Sequence, residues 1–304
     1  MSFYFSIVIG ILLLSFGGDY LVKGSSSLAR KLNISPMIIG IVIIGFGTSV
    51  PEIFVASNAV INNSPNIALG SVVGSNIANI LLVFGFALVI TKNEILKSVS
   101  SGDMTTMIVI TILLSLCLIY GSIGFPLSLI MVLLLPVYFY LSYKFFNKEV
   151  EVDEVSESSN YFRTILNIVL GFSLLFIGSE GFIKGLKEFA IYFNISEAIL
   201  GLTLAAIGTS LPELAVTFAS VRNKAEKVLL GNIIGSNIIN ILGALGISSL
   251  IGTIIVPEDF SGISFYYLIF SAVWLFLLTK IKMHKSVLGL VSLTAYIYYV
   301  FSLY

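Results

Sequence analysis

Apolar residues in this chain run in long uninterrupted stretches, separated by short polar breaks. Ten such runs lie near 3–22, 36–61, 67–90, 104–120, 125–146, 162–182, 197–221, 228–251, 263–279 and 286–303. Each comes close to the roughly 20 residues that a helix needs to cross a bilayer. Strands of a membrane barrel would be about half as long and would alternate polar with apolar positions, so the pattern predicts helices. The expected fold class is therefore all-α, a polytopic membrane protein of ten transmembrane helices.

Composition agrees with that pattern. Of the 304 residues 57% are hydrophobic and only 11% charged, which is too apolar for a water-facing surface. The first run has no basic stretch before it and no small-residue cleavage pattern after it, so it reads as a retained helix rather than a signal peptide. Net charge is zero, but its placement is one-sided. With ten spans, fourteen of the sixteen Lys and Arg residues, among them Arg30, Lys31, Lys144, Arg163, Arg222 and Lys280, fall in the loops after the odd-numbered spans. Lys184 and Lys187 alone lie on the other side. This bias predicts a multi-pass cell-membrane protein with both termini outside and the odd-numbered loops in the cytoplasm.

Sliding the chain against itself reveals a duplication. At an offset of 161, 27 of the 69 residues from Gly17 to Gly85 recur between Gly178 and Gly246. Five spans separate equivalent points, and five is odd, so the copies must cross the membrane in opposite directions. The expected organisation is two inverted five-helix repeats, 1–146 and 161–304. Residues 147–160 (NKEVEVDEVSESSN) join them as an acidic cytoplasmic linker, read as solvated rather than calcium-sensing. Inverted repeats characterise secondary transporters, which bind their cargo near the midplane on broken helices.

Breaks of that kind are present. The second run is interrupted by Gly45-Phe46-Gly47-Thr48-Ser49-Val50-Pro51-Glu52 and the seventh by Ala206-Ile207-Gly208-Thr209-Ser210-Leu211-Pro212-Glu213. Each proline removes a backbone donor and blocks the carbonyl four residues earlier, at Gly47 or Gly208. Freed carbonyls are tolerated at membrane depth only where they face protein, water or an ion. Glu52 and Glu213 are the acidic residues placed deep within spans, each about four residues, or ~6 Å, past its helix centre. Inversion puts them on opposite sides of the midplane, so they can converge. Burying two carboxylates costs at least a few kcal/mol each unless cations or protons neutralise them. Carboxylates with hydroxyls and carbonyls suit a hard divalent cation.

A second matched set lies in the third and eighth runs, Gly70-Ser71-Val72-Val73-Gly74-Ser75-Asn76-Ile77-Ala78-Asn79 and Gly231-Asn232-Ile233-Ile234-Gly235-Ser236-Asn237-Ile238-Ile239-Asn240. Ser75 with Asn79, and Ser236 with Asn240, share a helix face at i and i+4. Asn76 and Asn237 point elsewhere and are expected to hydrogen-bond the broken backbone. Asp19 and Glu180 sit near span ends beside Lys23 and Lys184 and are expected to form interfacial ion pairs. Cys117 is read as a packing residue, His284 as solvated, and Trp274 as suited to packing or a membrane-interface belt. The chain carries no phosphate loop, His/Cys metal cluster or nucleophile triad, so enzyme chemistry has no support.

The two Gly-Thr-Ser-x-Pro-Glu boxes with the two Gly-Ser-Asn boxes resemble the alpha repeats of the sodium/calcium exchanger family, within the cation/calcium antiporter superfamily. The likeness covers nearly the whole chain. It implies alternating access, in which the first and sixth helices slide past a rigid core. It also implies that calcium is held by Glu52, Glu213, Thr48 and Thr209. Sodium sites would add Ser49, Ser210, Ser75 and Ser236, the backbone carbonyls of Gly45 and Ala206, and Asn79. At the second-repeat position several family members carry Asp where this chain has Asn240, which removes one charge. Two carboxylates balance one calcium or two sodium ions, so sodium stoichiometry is open, as is coupling to protons or potassium. A cation channel is the rival reading of another class. The partners this implies are Ca2+, Na+ and the lipid bilayer, with no cofactor, nucleic acid or obligate protein partner.

Overall fold

The structure is a computed structural model, and it describes residues 2–91, 95–98, 101–146, 160–193, 210–256, 262–281 and 283–303. Its helices follow the apolar runs. In the first half they are α1 (Ser2–Leu32), α2 (Pro36–Ile39), α3 (Phe46–Thr48), α4 (Val50–Ile61), α5 (Pro65–Ala78), α6 (Gly85–Ile90), α7 (Ser101–Tyr120) and α8 (Phe125–Phe146). The second half contributes α9 (Tyr161–Tyr192), α10 (Leu211–Arg222), α11 (Glu226–Ile239), α12 (Gly246–Ile251), α13 (Ile263–Leu278) and α14 (Lys285–Ser302). Three π-helical segments, Gly40–Gly45, Asn79–Phe84 and Asn240–Leu245, join α2 to α3, α5 to α6 and α11 to α12. By length and apolarity seven described helices can cross a membrane, or eight when the bent pair Pro36–Thr48 and Val50–Ile61 counts as one span. The other two expected runs correspond to the sixteen-residue α13 and to α10, which follows residues outside the description.

Local chemistry sets the helix ends. Asn33 closes α1 in a left-handed conformation (φ 57°), one that Asn tolerates better than most residues. Ser35 then caps α2 by accepting from Met37 N at 3.3 Å, with Pro36 at the first helical position, where its missing N–H costs nothing. Asn63 and Lys224, equivalent under the 161-residue offset, both turn through positive φ (55° and 54°) after α4 and α10. The turns also share a hydrogen bond: Ser64 N donates to Ala59 O and Ala225 N to Ser220 O, each at 2.8 Å.

Burial sorts the helices. The Glu226–Ile251 span is enclosed by protein along its most apolar stretch, whereas Phe125–Phe145 and Lys285–Ser302 present most of theirs outward. Phe5, Ile119, Phe125 and Phe301 are among the large exposed apolar side chains, a surface that a bilayer can solvate. At one end of the bundle two short strands, β1 (Ser122–Ile123) and β2 (Ile254–Ile255), pair antiparallel and tie together loops from the two halves.

The long outer helices α1 and α9 pack along each other through glycine. Gly10, Gly17 and Gly24 recur every seventh residue on α1, and Gly171, Gly178 and Gly185 do so on α9. A Cβ on Gly10 would lie 2.7 Å from Phe182 N, one on Gly17 2.9 Å from Leu175 N, and one on Gly24 3.0 Å from Ile168 N. In the other direction a Cβ on Gly171 would meet Leu21, on Gly178 Leu14, and on Gly185 Ile7. Partner numbers fall as α1 numbers rise, so the helices are antiparallel. Each contact also has its image under the 161-residue offset.

Candidate ion site

The site forms where the break between α3 and α4 meets the start of α10. Ser49, at the bend, has φ −86° and ψ −2°, and Pro51 follows in the first turn of α4, so the chain restarts there as a fresh helix bent by 40° from the preceding one. This places Glu52 in the first turn of α4 and Glu213 in the first turn of α10, the helix ends where backbone N–H groups favour a negative charge. Both carboxylates are buried, at 1% and 0% exposure, and they lie within electrostatic reach of one another, with the Thr48 hydroxyl beside Glu213. The two buried acidic side chains, one from each half of the chain, thus influence each other in a polar part of the interior.

Around them stand oxygens from both halves of the chain. Ser75 Oγ donates to Glu52 Oε1 at 3.3 Å. Thr48 Oγ1 donates within its own helix to Ile44 O at 3.0 Å and lies 3.4 Å from Gly45 O, 3.1 Å from Asn232 Oδ1 and 3.2 Å from Ser236 Oγ. Ser236 Oγ in turn approaches Gly45 O at 3.5 Å. One hydroxyl carries one proton, so this cluster of five oxygens has more acceptor capacity than protons, as a cation site requires. Close packing makes it possible. A Cβ on Gly231 would collide with Met37 O, so only glycine lets α11 approach α2 and the Gly40–Gly45 segment this nearly.

Several polar atoms here have no protein partner. The hydroxyls of Ser49 and Ser210, both oxygens of Glu213 and both amide atoms of Asn79 complete no hydrogen bond of normal geometry. Asn240 donates from Nδ2 to Asn76 Oδ1 at 3.2 Å, with its own Oδ1 left unpaired. Buried polar atoms without partners cost about 1–3 kcal/mol each, and a cation or water among them removes that cost. Thr209 and Ala206 lie outside the described residues. The other ten expected site residues lie in this region and all are buried, Gly45 among them, with Ser75 at 5% exposure.

A family model described as sodium/calcium exchanger protein matches residues 2–144 and 164–304. This chain belongs to the sodium/calcium exchanger family. Among exchanger-family relatives, a proposed antiporter of Alkalimonas amylolytica, CaxA, is 32% identical over 98% of this chain and 97% of its own length. The sodium/calcium exchanger MaX1 of Methanosarcina acetivorans is 28% identical over 83% of this chain and 84% of that one. A structure of the sodium-calcium exchanger NCX_Mj, soaked with Na+ and Sr2+, superposes with a TM-score of 0.84 at 28% identity, covering 100% of this chain and 99% of that one.

In this exchanger some expectations change. Asn237 donates to Ile233 O within its own helix at 2.8 Å, and Asn76 bonds the Asn240 side chain. Neither bonds the broken backbone of the second run, because Asn237 turns back onto its own helix and Asn76 is met by Asn240 across the two halves. Asp19 pairs with Arg222 and accepts from Asn223 Nδ2 at 3.0 Å, rather than pairing with Lys23. Cys117 is buried, and Trp274 Nε1 donates to Ser292 Oγ at 2.8 Å across α13 and α14. Asn232 joins the site without a sign in the repeat, since its first-repeat counterpart is Ser71. The π segments at Asn79 and Asn240 coincide under the offset and begin at an expected site residue in each half. Their shared Asn-Ile-Leu was the available signal.

Proposed function

We propose that this chain is a secondary-active antiporter that exchanges Na+ for Ca2+ by alternating access, with Glu52 and Glu213 as the charges for which the two ions compete. The observation that carries this reading is the meeting of two buried carboxylates, one from each half, in a proton-poor cluster of oxygens. Calcium takes the carboxylates with Thr48, and Thr209 is its proposed mate. Sodium uses Ser49, Ser75, Asn79, Ser210, Ser236, Asn240 and the carbonyls of Gly45 and Ala206. Competition for the same two charges couples the fluxes, because a site emptied of one ion is too costly to reorient until the other neutralises it.

The architecture is two inverted five-helix repeats, 1–146 and 161–304, joined by the linker 147–160. Its support is the antiparallel pairing of α1 with α9 through matched glycines. Both termini lie outside and the linker is cytoplasmic, as the charge bias argues. Calcium uptake into vesicles driven by an outward sodium gradient tests the function. Glu213→Gln leaves one charge against a divalent ion and, at ~4 kcal/mol per close pair, should weaken calcium binding at least about a hundredfold. Uptake that ignores the sodium gradient, or survives Glu213→Gln, overturns the assignment. Imposing proton and potassium gradients separately in the same vesicles decides between sodium and those counter-ions.

A further inference from the structure

The two halves of the site differ in what lines the helix face beyond each carboxylate. Around Glu52, Ser75 donates to one carboxylate oxygen and Asn240 donates to Asn76, while Glu52 Oε2 and Asn76 Nδ2 complete no hydrogen bond. The next two residues on the Glu52 face of α4, one and two turns on, are Ala56 and Ala59, both buried. Around Glu213 the equivalent positions are Thr217 and Ser220, at 0% exposure. Neither hydroxyl has a hydrogen-bond partner, and neither do the amide atoms of Asn79, which opens the Asn79–Phe84 segment packed against α10.

Most hydroxyls on the described helices are bonded, although Ser25 and Ser57 are further exceptions. A hydroxyl on a membrane helix normally donates to the carbonyl four residues back, as Thr111 does to Met107 O at 2.9 Å and Ser115 to Thr111 O at 2.8 Å. Thr217 and Ser220 forgo that bond. Glu213, Thr217 and Ser220 stand at i, i+4 and i+7, hence on one face of α10. Thr217 lies ~6 Å and Ser220 ~10 Å beyond Glu213 along the axis. Two residues later Arg222 is 47% exposed. The unpaired groups therefore reach from the ion site to within a turn of the surface.

We propose that the Glu213–Thr217–Ser220 face of α10 holds a chain of buried water that connects the ion site to the Arg222 end of the molecule, and that the mirror face through Ala56 and Ala59 is dry. Water satisfies buried polar groups where apolar cavities stay empty, so the polar face hydrates and the alanine face does not. This hydrates Glu213 and its cation from one side of the membrane only, the cytoplasmic side in the orientation above. It rests on the antiporter reading and adds an asymmetry to it: rehydration of a leaving cation is easier on the Arg222 side.

The test uses Cys117→Ala as background and places single cysteines by Thr217→Cys, Ser220→Cys, Ala56→Cys and Ala59→Cys in vesicle-reconstituted protein. Aminoethyl methanethiosulfonate and Ag+, a probe near the size of the transported ions, are added, and intact-mass measurement follows the thiols. Only hydrated thiols ionise and react, so positions 217 and 220 should modify about tenfold faster than 56 and 59 or more. Saturating Ca2+ should slow position 217. Equal rates at all four positions, or faster reaction at the alanine pair, overturn the proposal. Should the cysteine variants fail to fold, isosteric Thr217→Val and Ser220→Ala replace them. These should keep calcium binding while slowing exchange, and an unchanged exchange rate overturns the proposal equally. Dry thiols with intact sodium-dependent calcium flux sink the water chain alone, whereas loss of sodium dependence in the parent sinks the antiporter reading.

Discussion

Asn240 sets the charge of the site. Its neutral amide donates to Asn76, where several members of the resembled family place an acid, so the cluster holds two carboxylates here. Asn240→Asp adds a third negative group to the same buried region, and like charges close together in a poorly hydrated interior interact by several kcal/mol. The variant should bind sodium more tightly, and its exchange should become pH-dependent, because the new acid is neutralised either by a sodium ion or by a proton. Sodium-dependent flux measured across a pH series checks this, and unchanged sodium affinity at every pH contradicts it. At this scale Glu52, Glu213, Thr48, Ser75 and Ser236 were legible in the sequence, since a carboxylate inside an apolar run is costly enough to imply a ligand. Asn232 was not, because its role is fixed by the approach of Thr48 from 184 residues away. Nor was the partner of Asp19, because Lys23 is its neighbour along the chain and Arg222 is its neighbour only in space.

At the scale of elements the spans and the break at Pro51 could be read from apolar length and from proline's missing donor. The π segments were not read, since an extra residue in a helical turn has no residue type of its own and the repeated Asn-Ile-Leu marks only that the two positions correspond. The glycine seam was half visible: Gly17 and Gly24 fell within the matched block, while Gly10 and Gly171 lay outside it. Gly178→Leu would force a Cβ to 2.9 Å from Leu13 Cβ and Leu14 N and 3.0 Å from Gly10 O. Backbone atoms cannot yield as side chains do, so the variant should lose at least about 1–3 kcal/mol, seen as a lower thermal midpoint in detergent. Retention of the parent midpoint would show that α1 and α9 do not pack as described. The Asp19–Arg222 pair ties α1 to α10, and Arg222 is half exposed, so its loss should cost no more than about 1 kcal/mol. Asp19→Asn should therefore alter exchange rate more than thermal stability, and Asp19→Arg with Arg222→Asp should restore the rate. Failure of the double variant to recover would mean that the pair is incidental.

For the whole molecule, neither half is complete alone. Gly40 and Gly45 lie against Gly231, Gly235 and Ser236, and the Glu226–Ile251 span is enclosed by protein from end to end of its apolar stretch. Fragments 1–150 and 151–304 expressed separately should be degraded. Expressed together they should co-purify and carry sodium-dependent calcium flux, and stable accumulation of either fragment alone would contradict this. The enclosed span also bears on how the protein is made. Residue 36 leaves the ribosome 190 residues before residue 226, a delay of ~10–40 s at ordinary rates of synthesis. Throughout that interval the groove beside Met37 and Ile41 has to be filled by lipid tails or by the insertion machinery. Mutations that roughen it should therefore first show themselves as poor biogenesis, before any defect in the finished transporter can be measured.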